Sequence, residues 1–373
     1  MMPKPVQLDD IIRTIHTLVE CESPSADLDA VRASANLVAD LGESILGVAA
    51  ERIEVGGVSH LRWSFGGPTR VLLLAHHDTV WPLGAIDRLP YAVSDGVLTG
   101  PGCFDMKTGL AMAMHAIAAL EDRDGVTLLV TGDEELGSPN SRQLIEDTAA
   151  GARAALVLEA SADGGALKLE RKGVSLYEIV VTGAAAHAGL EPEKGINASI
   201  ELAHQVLAIA AFANPELGTT VTPTLAVSGT TSNTVPARAT LKVDVRVRAA
   251  AEQHRVDLAM RELRPVLAGA SVEVLGGVNR RPLERSASEA LFGRAAALAA
   301  RLGLAPLTAV AVGGASDGNY TAGLGVPTLD GLGAVGGGAH AESEHVLVAE
   351  IEPRTRLLAA LVAELAGEGE EGK

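Results

Sequence analysis

Aromatic residues are scarce: four Phe, three Tyr and two Trp make up 2% of the 373 residues. A core for this chain must therefore come from Ala, Val, Leu and Ile, and the 47% hydrophobic fraction is enough to supply it. Cysteine is scarcer still. Cys21 and Cys103 cannot form a disulfide framework, and neither belongs to a CxxC pair. Positive charge is in deficit, with 30 Lys and Arg against 47 Asp and Glu, a formal charge of −17. No basic run offsets it, so a phosphate backbone is repelled and nucleic acid is excluded as a partner. Long apolar runs are missing too: Gly109–Leu120 carries a histidine and stops short of a membrane span. The start, Met1-Met2-Pro3-Lys4-Pro5, leads into acidic, helix-like sequence with no apolar signal region. A soluble cytoplasmic protein with no membrane partner is expected.

What is present is a chain long enough for two to three domains, with an ordinary 21% of charged residues. Leu8–Val19 and Leu28–Leu41 carry apolar residues at helical spacing. Val71–Ala75 is a continuous apolar run, and Val126–Val130 and Ala154–Leu158 repeat it, with a helical pattern over Leu110–Leu120 between the first two. That alternation predicts an α/β domain on a mostly parallel sheet. From Val174 the pattern changes. Strands over Val174–Thr182, Val221–Gly229, Ala237–Val247 and Ser271–Leu275 enclose helices over Asn197–Ala213, with Asn197 as N-cap, and Glu252–Leu267. This β-α-β-β-α-β order predicts a ferredoxin-like α+β domain. Helix Glu289–Leu302, strands near Leu307–Val312 and Pro327–Leu329, helix Pro353–Ala366 and a frayed tail Gly367–Lys373 follow. We therefore expect a larger α/β domain in two parts, 1–171 and 282–373, with a small domain inserted at 172–281.

Three of the apolar runs end in groups that can hold a metal: His76-His77-Asp78, Asp133-Glu134-Glu135 and Glu159. Ligands of open α/β sheets bind beyond the carboxyl ends of the strands, so these groups can converge. His76 and Asp78 share a face of an extended strand, which lets Asp78 accept the second ring N–H of a metal-bound His76. His77 points the other way. Glu134 and Glu135 diverge, so one can bind metal while the other takes a proton from water. Each cluster also has a plain reading, as a polar strand end, a solvated acidic turn or a surface residue. Asp105, in the glycine-rich turn Gly100–Gly109, can cap the following helix or bridge two cations, and Cys103 beside it suits a small buried residue. His340 follows Gly336-Gly337-Gly338, where glycines allow close backbone approach or merely a flexible loop.

In this order, His76-x-Asp78, Gly100-Pro101-Gly102 through Asp105-Met106-Lys107, Asp133-Glu134-Glu135, Glu159 and Gly338-x-His340 resemble the M20 co-catalytic zinc peptidases over nearly the whole chain. The resemblance implies two Zn²⁺ ions, with Mn²⁺ or Co²⁺ as alternatives, bridged by Asp105. His76 and Glu159 complete one site, Glu135 and His340 the other. It further implies that Asp78 orients His76, that Glu134 is the general base, and that Asp105-Met106 is a cis peptide. Ala186-His187-Ala188-Gly189 resembles the family's histidine that reaches a neighbouring subunit's active site, which implies a homodimer through the inserted domain. Asn233, within Thr231–Pro236, and Arg246, within Asp244-Val245-Arg246, resemble segments that contact a substrate carboxylate; a surface ion pair is the plain alternative for Arg246. Gly313–Asn319 resembles a further substrate-side loop, and His77 stands where relatives more often carry an apolar residue.

The expected activity is hydrolysis of an amide bond beside a free carboxylate, releasing a C-terminal amino acid such as glutamate from a peptidyl or N-acyl substrate. An N-acyl-amino-acid deacylase, of the acetylornithine deacetylase or succinyl-diaminopimelate desuccinylase kind, is the alternative. A catalytically silent binding protein would be expected to have lost the base or a ligand, and a mononuclear iron oxygenase needs fewer ligands than these five.

Overall fold

The computed structural model describes residues 3–367. It divides into two units. One comprises everything up to Glu170, Glu284–Val312 and everything from Ser316; the other comprises Arg171–Leu283 with Gly313–Ala315.

Helix α1 (Leu8–Glu20) buries Ile11, Ile15, Leu18 and Val19, the spacing of one helical face. Helix α2 (Leu28–Leu46) starts at Asp27, whose carboxylate accepts the amides of Asp29 and Ala30. An antiparallel pair, β1 (Glu51–Val55) and β2 (Val58–Phe65), leads to β3 (Val71–His76). Helix α3 (Thr108–Ala118) precedes β4 (Val126–Thr131), and α4 (Arg142–Ala149) precedes β5 (Ala154–Val157). Every residue of β3, β4 and β5 is buried. A strand covered on both faces gains from an apolar side chain at each position, which is why these three read as continuous runs.

Strand β3 lies between β4 and β5 and is parallel to both. The chain steps from β3 to β4 on one side, then crosses to β5 on the other. Such a reversal leaves a crevice beyond the strands' carboxyl ends. Gly109 of α3 packs against the end of β5, where a Cβ would lie 2.1 Å from the Leu158 carbonyl oxygen. Only glycine permits that approach.

The second unit contains β6 (Gly173–Thr182), α5 (Ala198–Ala210), β7 (Thr220–Ser228), β8 (Arg238–Val247), α6 (Ala250–Arg261) and β9 (Ser271–Arg280). Its sheet runs β7-β8-β6-β9 with antiparallel neighbours, the ferredoxin-like arrangement. Ile179, Val181, Leu202, Leu241, Val243 and Val256 belong to its own core. Asn197 caps α5 as expected, accepting the amides of Ser199 and Ile200. Helix α6 stops at Arg261 rather than continuing to Leu267. Pro265 has no N–H for the Arg261 carbonyl, and its ring would clash with it. Strand β9 continues past Leu275 through Gly276 and Gly277.

Back in the first unit, α7 (Arg285–Arg301), α8 (Gly318–Gly323) and β10 (Thr328–Leu329) precede α9 (Val348–Gly367). Strand β10 is parallel to β5 and closes that edge of the sheet. Helix α9 begins upstream of Pro353, not at it as the sequence predicted. The proline sits in the second turn, where it removes only the bond to the Ala349 carbonyl, and Ile351 before it is buried. Gly367 ends this helix; the rest of the expected frayed tail, 368–373, lies outside the described residues. Among the described residues no helix is long and apolar enough to cross a membrane.

Candidate metal centre

His76 ends β3 and is buried. Its Nδ1–H donates to the main-chain carbonyl of Asp78 at 3.0 Å, with the Asp78 carboxylate at 3.4 Å. A carbonyl oxygen can only accept, so the proton is on Nδ1 and the lone pair of Nε2 faces the opposite way. There Nε2 lies 3.5 Å from Asp105 Oδ1 and 3.6 Å from Glu159 Oε1. Asp105 turns Oδ2 toward His340 Nε2 at 3.4 Å, and His340 Nε2 lies 3.3 Å from Glu135 Oε2. Two groups result, His76–Asp105–Glu159 and Asp105–Glu135–His340, and they share Asp105.

This donor set fits a pair of divalent cations. Nε2 of His76, Oδ1 of Asp105 and Oε1 of Glu135 are buried with no hydrogen-bond partner among the described residues. Oxygen and nitrogen ligands about 2.0–2.2 Å from a tetrahedral zinc ion sit roughly 3.4 Å from one another, the range found here. Three carboxylates against two imidazoles also call for added positive charge. Burial opposes charging of His76, yet Asp105, Asp78 and Glu159 together raise its pKa well above the ordinary value. Asp105 and Glu135 push His340 up to about 10, against a smaller effect of burial. Burial also works against the Asp105 carboxylate, but His340 and His76 hold its pKa far below the usual range. A proton or a metal ion has to lie between these groups.

Buried carboxylates position these candidate ligands. Asp78 accepts the Ser25 hydroxyl at 2.6 Å and the amides of Glu134 and Glu135 at 3.2 Å each. Asp133 accepts the amides of Asn140 and Ser141 and the Ser141 hydroxyl. The short 3₁₀ turn Glu134–Leu136 is thereby held from both sides. Successive residues in such a turn point about 120° apart, so Glu135 reaches His340 while the buried Glu134 carboxylate is directed elsewhere. His340 itself has φ +62°, rare without glycine, and follows Gly338 at φ +75°. A Cβ at Gly338 would meet the Ser343 backbone at 2.6 Å. The Asp105-Met106 peptide is cis.

Several roles lay beyond the sequence. His77 is a core residue: its ring lies between the Ser34 hydroxyl at 3.1 Å and the Ser59 carbonyl at 3.0 Å, and burial lowers its pKa to about 4. Ser316–Asn319 is also buried, with Asp317 accepting hydroxyls from Thr131 and Ser138, the residues flanking Asp133–Glu135. Cys103 is buried, as expected of a small residue there, and burial raises its thiol pKa. Glu344 carries no signal in the sequence. It is 3% exposed and accepts the amides of Gly102, Phe104 and Asp105 and the indole N–H of Trp81. Nothing in Glu342-Ser343-Glu344 distinguishes it from its exposed neighbour Glu342.

In the second unit His187 and Asn233 are neighbours: His187 pairs with Thr234, and the Ala188 amide donates to the Asn233 carbonyl at 2.9 Å. His187 Nδ1 accepts the amides of Gly189 and Leu190 at 3.1 and 3.2 Å, which puts the ring proton on Nε2. Arg246, near the far end of β8, gives two N–H groups to Asp244 at 2.8 and 2.9 Å. This is the ion pair of the plain reading.

Comparison with known proteins agrees with this geometry. Residues 72–364 match the profile of "Peptidase family M20/M25/M40". The chain is 30% identical to carboxypeptidase G2 of Pseudomonas sp. (strain RS-16), covering 95% of this chain and 89% of that one. An M20 family metallo-carboxypeptidase from Sulfolobus solfataricus superposes with a TM-score of 0.74 at 19% identity, covering 96% and 99% of the two chains. A dinuclear metal binding peptidase of the family from Bacillus subtilis gives 0.62 at 15% identity, covering 96% and 98%. The chain belongs to the M20 peptidase family of metal-dependent hydrolases.

Proposed function

We propose that the protein is a di-zinc carboxypeptidase that cleaves the amide bond before a C-terminal amino acid such as glutamate in peptidyl or N-acyl substrates. The observation that carries this reading is the sharing of one Asp105 carboxylate between two histidine-carboxylate groups. The likeness to carboxypeptidase G2 supports the carboxypeptidase part of the reading.

His76, Asp105 and Glu159 would hold one ion, and Asp105, Glu135 and His340 the other; Mn²⁺ or Co²⁺ suits the same donors as Zn²⁺. Bound there, the ions would polarise the scissile carbonyl and acidify a water. Glu134 takes the proton from the attacking water and returns it to the leaving amine nitrogen. Asp78 keeps the His76 ring in the tautomer whose Nε2 is free of a proton. His187, acting across a homodimer formed through the second unit, offers Nε2–H to the carbonyl oxygen as negative charge develops. Arg246 has three N–H groups beyond the two given to Asp244, which suit it to bind the substrate carboxylate; Asn233 lies beside His187 at the other end of β8 and would reach that carboxylate from the partner subunit. An exposed edge strand, β7, with Leu225 and Val227 open to solvent, supports a dimer contact there. Two free cysteines suit a cytoplasmic location.

A substrate panel on the zinc-loaded protein tests the reading. N-acyl-glutamates of the folate type should be cleaved with a higher kcat/KM than other dipeptides or N-acetyl amino acids. Preference for acetylornithine or succinyl-diaminopimelate would instead identify a deacylase.

A further inference from the structure

Glu344 is a buried carboxylate that accepts four hydrogen bonds. Oε1 takes the amides of Phe104 at 2.9 Å and Asp105 at 3.0 Å; Oε2 takes the amide of Gly102 at 2.9 Å and the Trp81 indole N–H at 2.7 Å. These partners lie in separate parts of the chain. The three amides belong to the loop that carries Asp105. Trp81 is three residues past Asp78, and Glu344 itself is four residues past His340. One carboxylate therefore ties together the loops that follow β3, precede α3 and bear His340.

We propose that Glu344 is a positioning residue for the metal centre, fixing Asp105 where both ions can share it. The proposal rests on the reading of Asp105 as the bridging ligand. Two physical points support it. The loop amides of Gly102, Phe104 and Asp105, directed into the protein, need an acceptor, and without one each would be a buried donor left unpaired. Four donors converging on one group also require a side chain that only accepts. An ionised carboxylate does so, whereas glutamine would turn an NH₂ toward N–H groups. The bond to the Asp105 amide is the most direct, because fixing the main chain of a ligand residue limits where its carboxylate can reach. Glu342 cannot substitute, since it is exposed and pairs with Arg88 at 3.3 Å.

Because Asp105 belongs to both groups, loss of Glu344 should weaken both metal sites together, whereas loss of a ligand used by one site weakens one. The test is calorimetric zinc titration of metal-stripped wild type and of the Glu344→Gln, Trp81→Phe, Glu159→Gln and Asp105→Asn variants, with visible absorption of the cobalt-loaded forms. Outer hydrogen-bond partners of ligands typically contribute 10–100-fold in affinity. Glu344→Gln should lose about that much at both binding steps and change the cobalt bands of both sites. Trp81→Phe should move both steps the same way by less, and Glu159→Gln should weaken one step only. Wild-type affinities and cobalt spectra in a folded Glu344→Gln protein would overturn the proposal. If that variant does not fold, unchanged binding by Trp81→Phe overturns it. Wild type binding fewer than two ions, or Asp105→Asn retaining both, would instead overturn the bridging reading and the proposal with it.

Discussion

The Asp78 carboxylate accepts the main-chain N–H of Glu134 at 3.2 Å. The residue that lies beside the ring of His76 thus also holds the turn carrying the proposed base. Its second oxygen does the same for Glu135. Asp78 contacts a proposed ligand of each group, His76 and Glu135, and the main chain of the proposed base, so its effects on catalysis and on metal binding should be inseparable. In Asp78→Asn the side chain keeps its size but loses an acceptor oxygen. The kcat should fall about 10–100-fold and zinc affinity should fall as well, read by steady-state kinetics and metal titration. A drop in kcat at full metal occupancy with unchanged affinity would disprove the joint role.

Replacing Glu134 separates chemistry from metal binding. Glu134→Ala should still carry two metal ions per chain by elemental analysis, because Glu134 belongs to neither ligand group. Its kcat should fall by about 10²–10⁴, the usual contribution of a positioned base. Unchanged turnover would refute the assignment.

His187 allows a test of subunit sharing. His187→Ala alone and Glu134→Ala alone should each be nearly inactive. Refolded or exchanged together, their mixed dimers contain one site with both residues intact, and about a quarter of wild-type activity should return if random pairing of two-fold dimers applies. If His187 serves its own chain, mixing recovers nothing.

Chelation should lower the melting temperature, and zinc should restore it. Ligands that bind only the folded state stabilise it by about 2.7 kcal/mol at a hundred times Kd. The shift should persist in Glu134→Ala and be largely lost in Asp105→Asn, as followed by calorimetry.

Away from the metal centre, Glu201 gives the second unit a pH-dependent brace. It is fully buried and accepts the amides of Val266 and Leu267 and the side-chain N–H of Gln205. Burial raises its pKa, but the Leu267, Gln205 and Val266 hydrogen bonds outweigh it and the net shift is downward. A carboxyl with a folded pKa below its unfolded one stabilises the fold above the unfolded value, and this is lost as pH falls through the folded one. Wild type should therefore lose stability progressively below about pH 4–5, where the unfolded Glu begins to protonate. Glu201→Gln should flatten that part of the profile and cost about 1–3 kcal/mol at neutral pH in denaturant unfolding. An unchanged acid limb would show that Glu201 does not contribute.

Much of this was legible along the chain. The strands ending at His76, Thr131 and Val157 are buried at every residue and mostly apolar, because a strand between two layers meets core on both sides. The glycine-rich turn before Asp105 and the alternating pattern after Val174 were equally local signals. Element ends were less so: the limits of α6 and α9 depended on how Pro265 and Pro353 sat in the finished packing.

Local pattern thus determined the α/β class, the inserted ferredoxin-like order and the residue types able to hold a metal. Tertiary structure brought the two groups together around the one Asp105 carboxylate that the family resemblance implied, and it alone decided that His77 belongs to the core and that Glu344 rather than Glu342 anchors the Asp105 loop. The reason is distance along the chain. Periodicity reports which face of an element is buried, but an oxygen of Glu344 meets the amide of Asp105 only after every intervening strand and helix has packed.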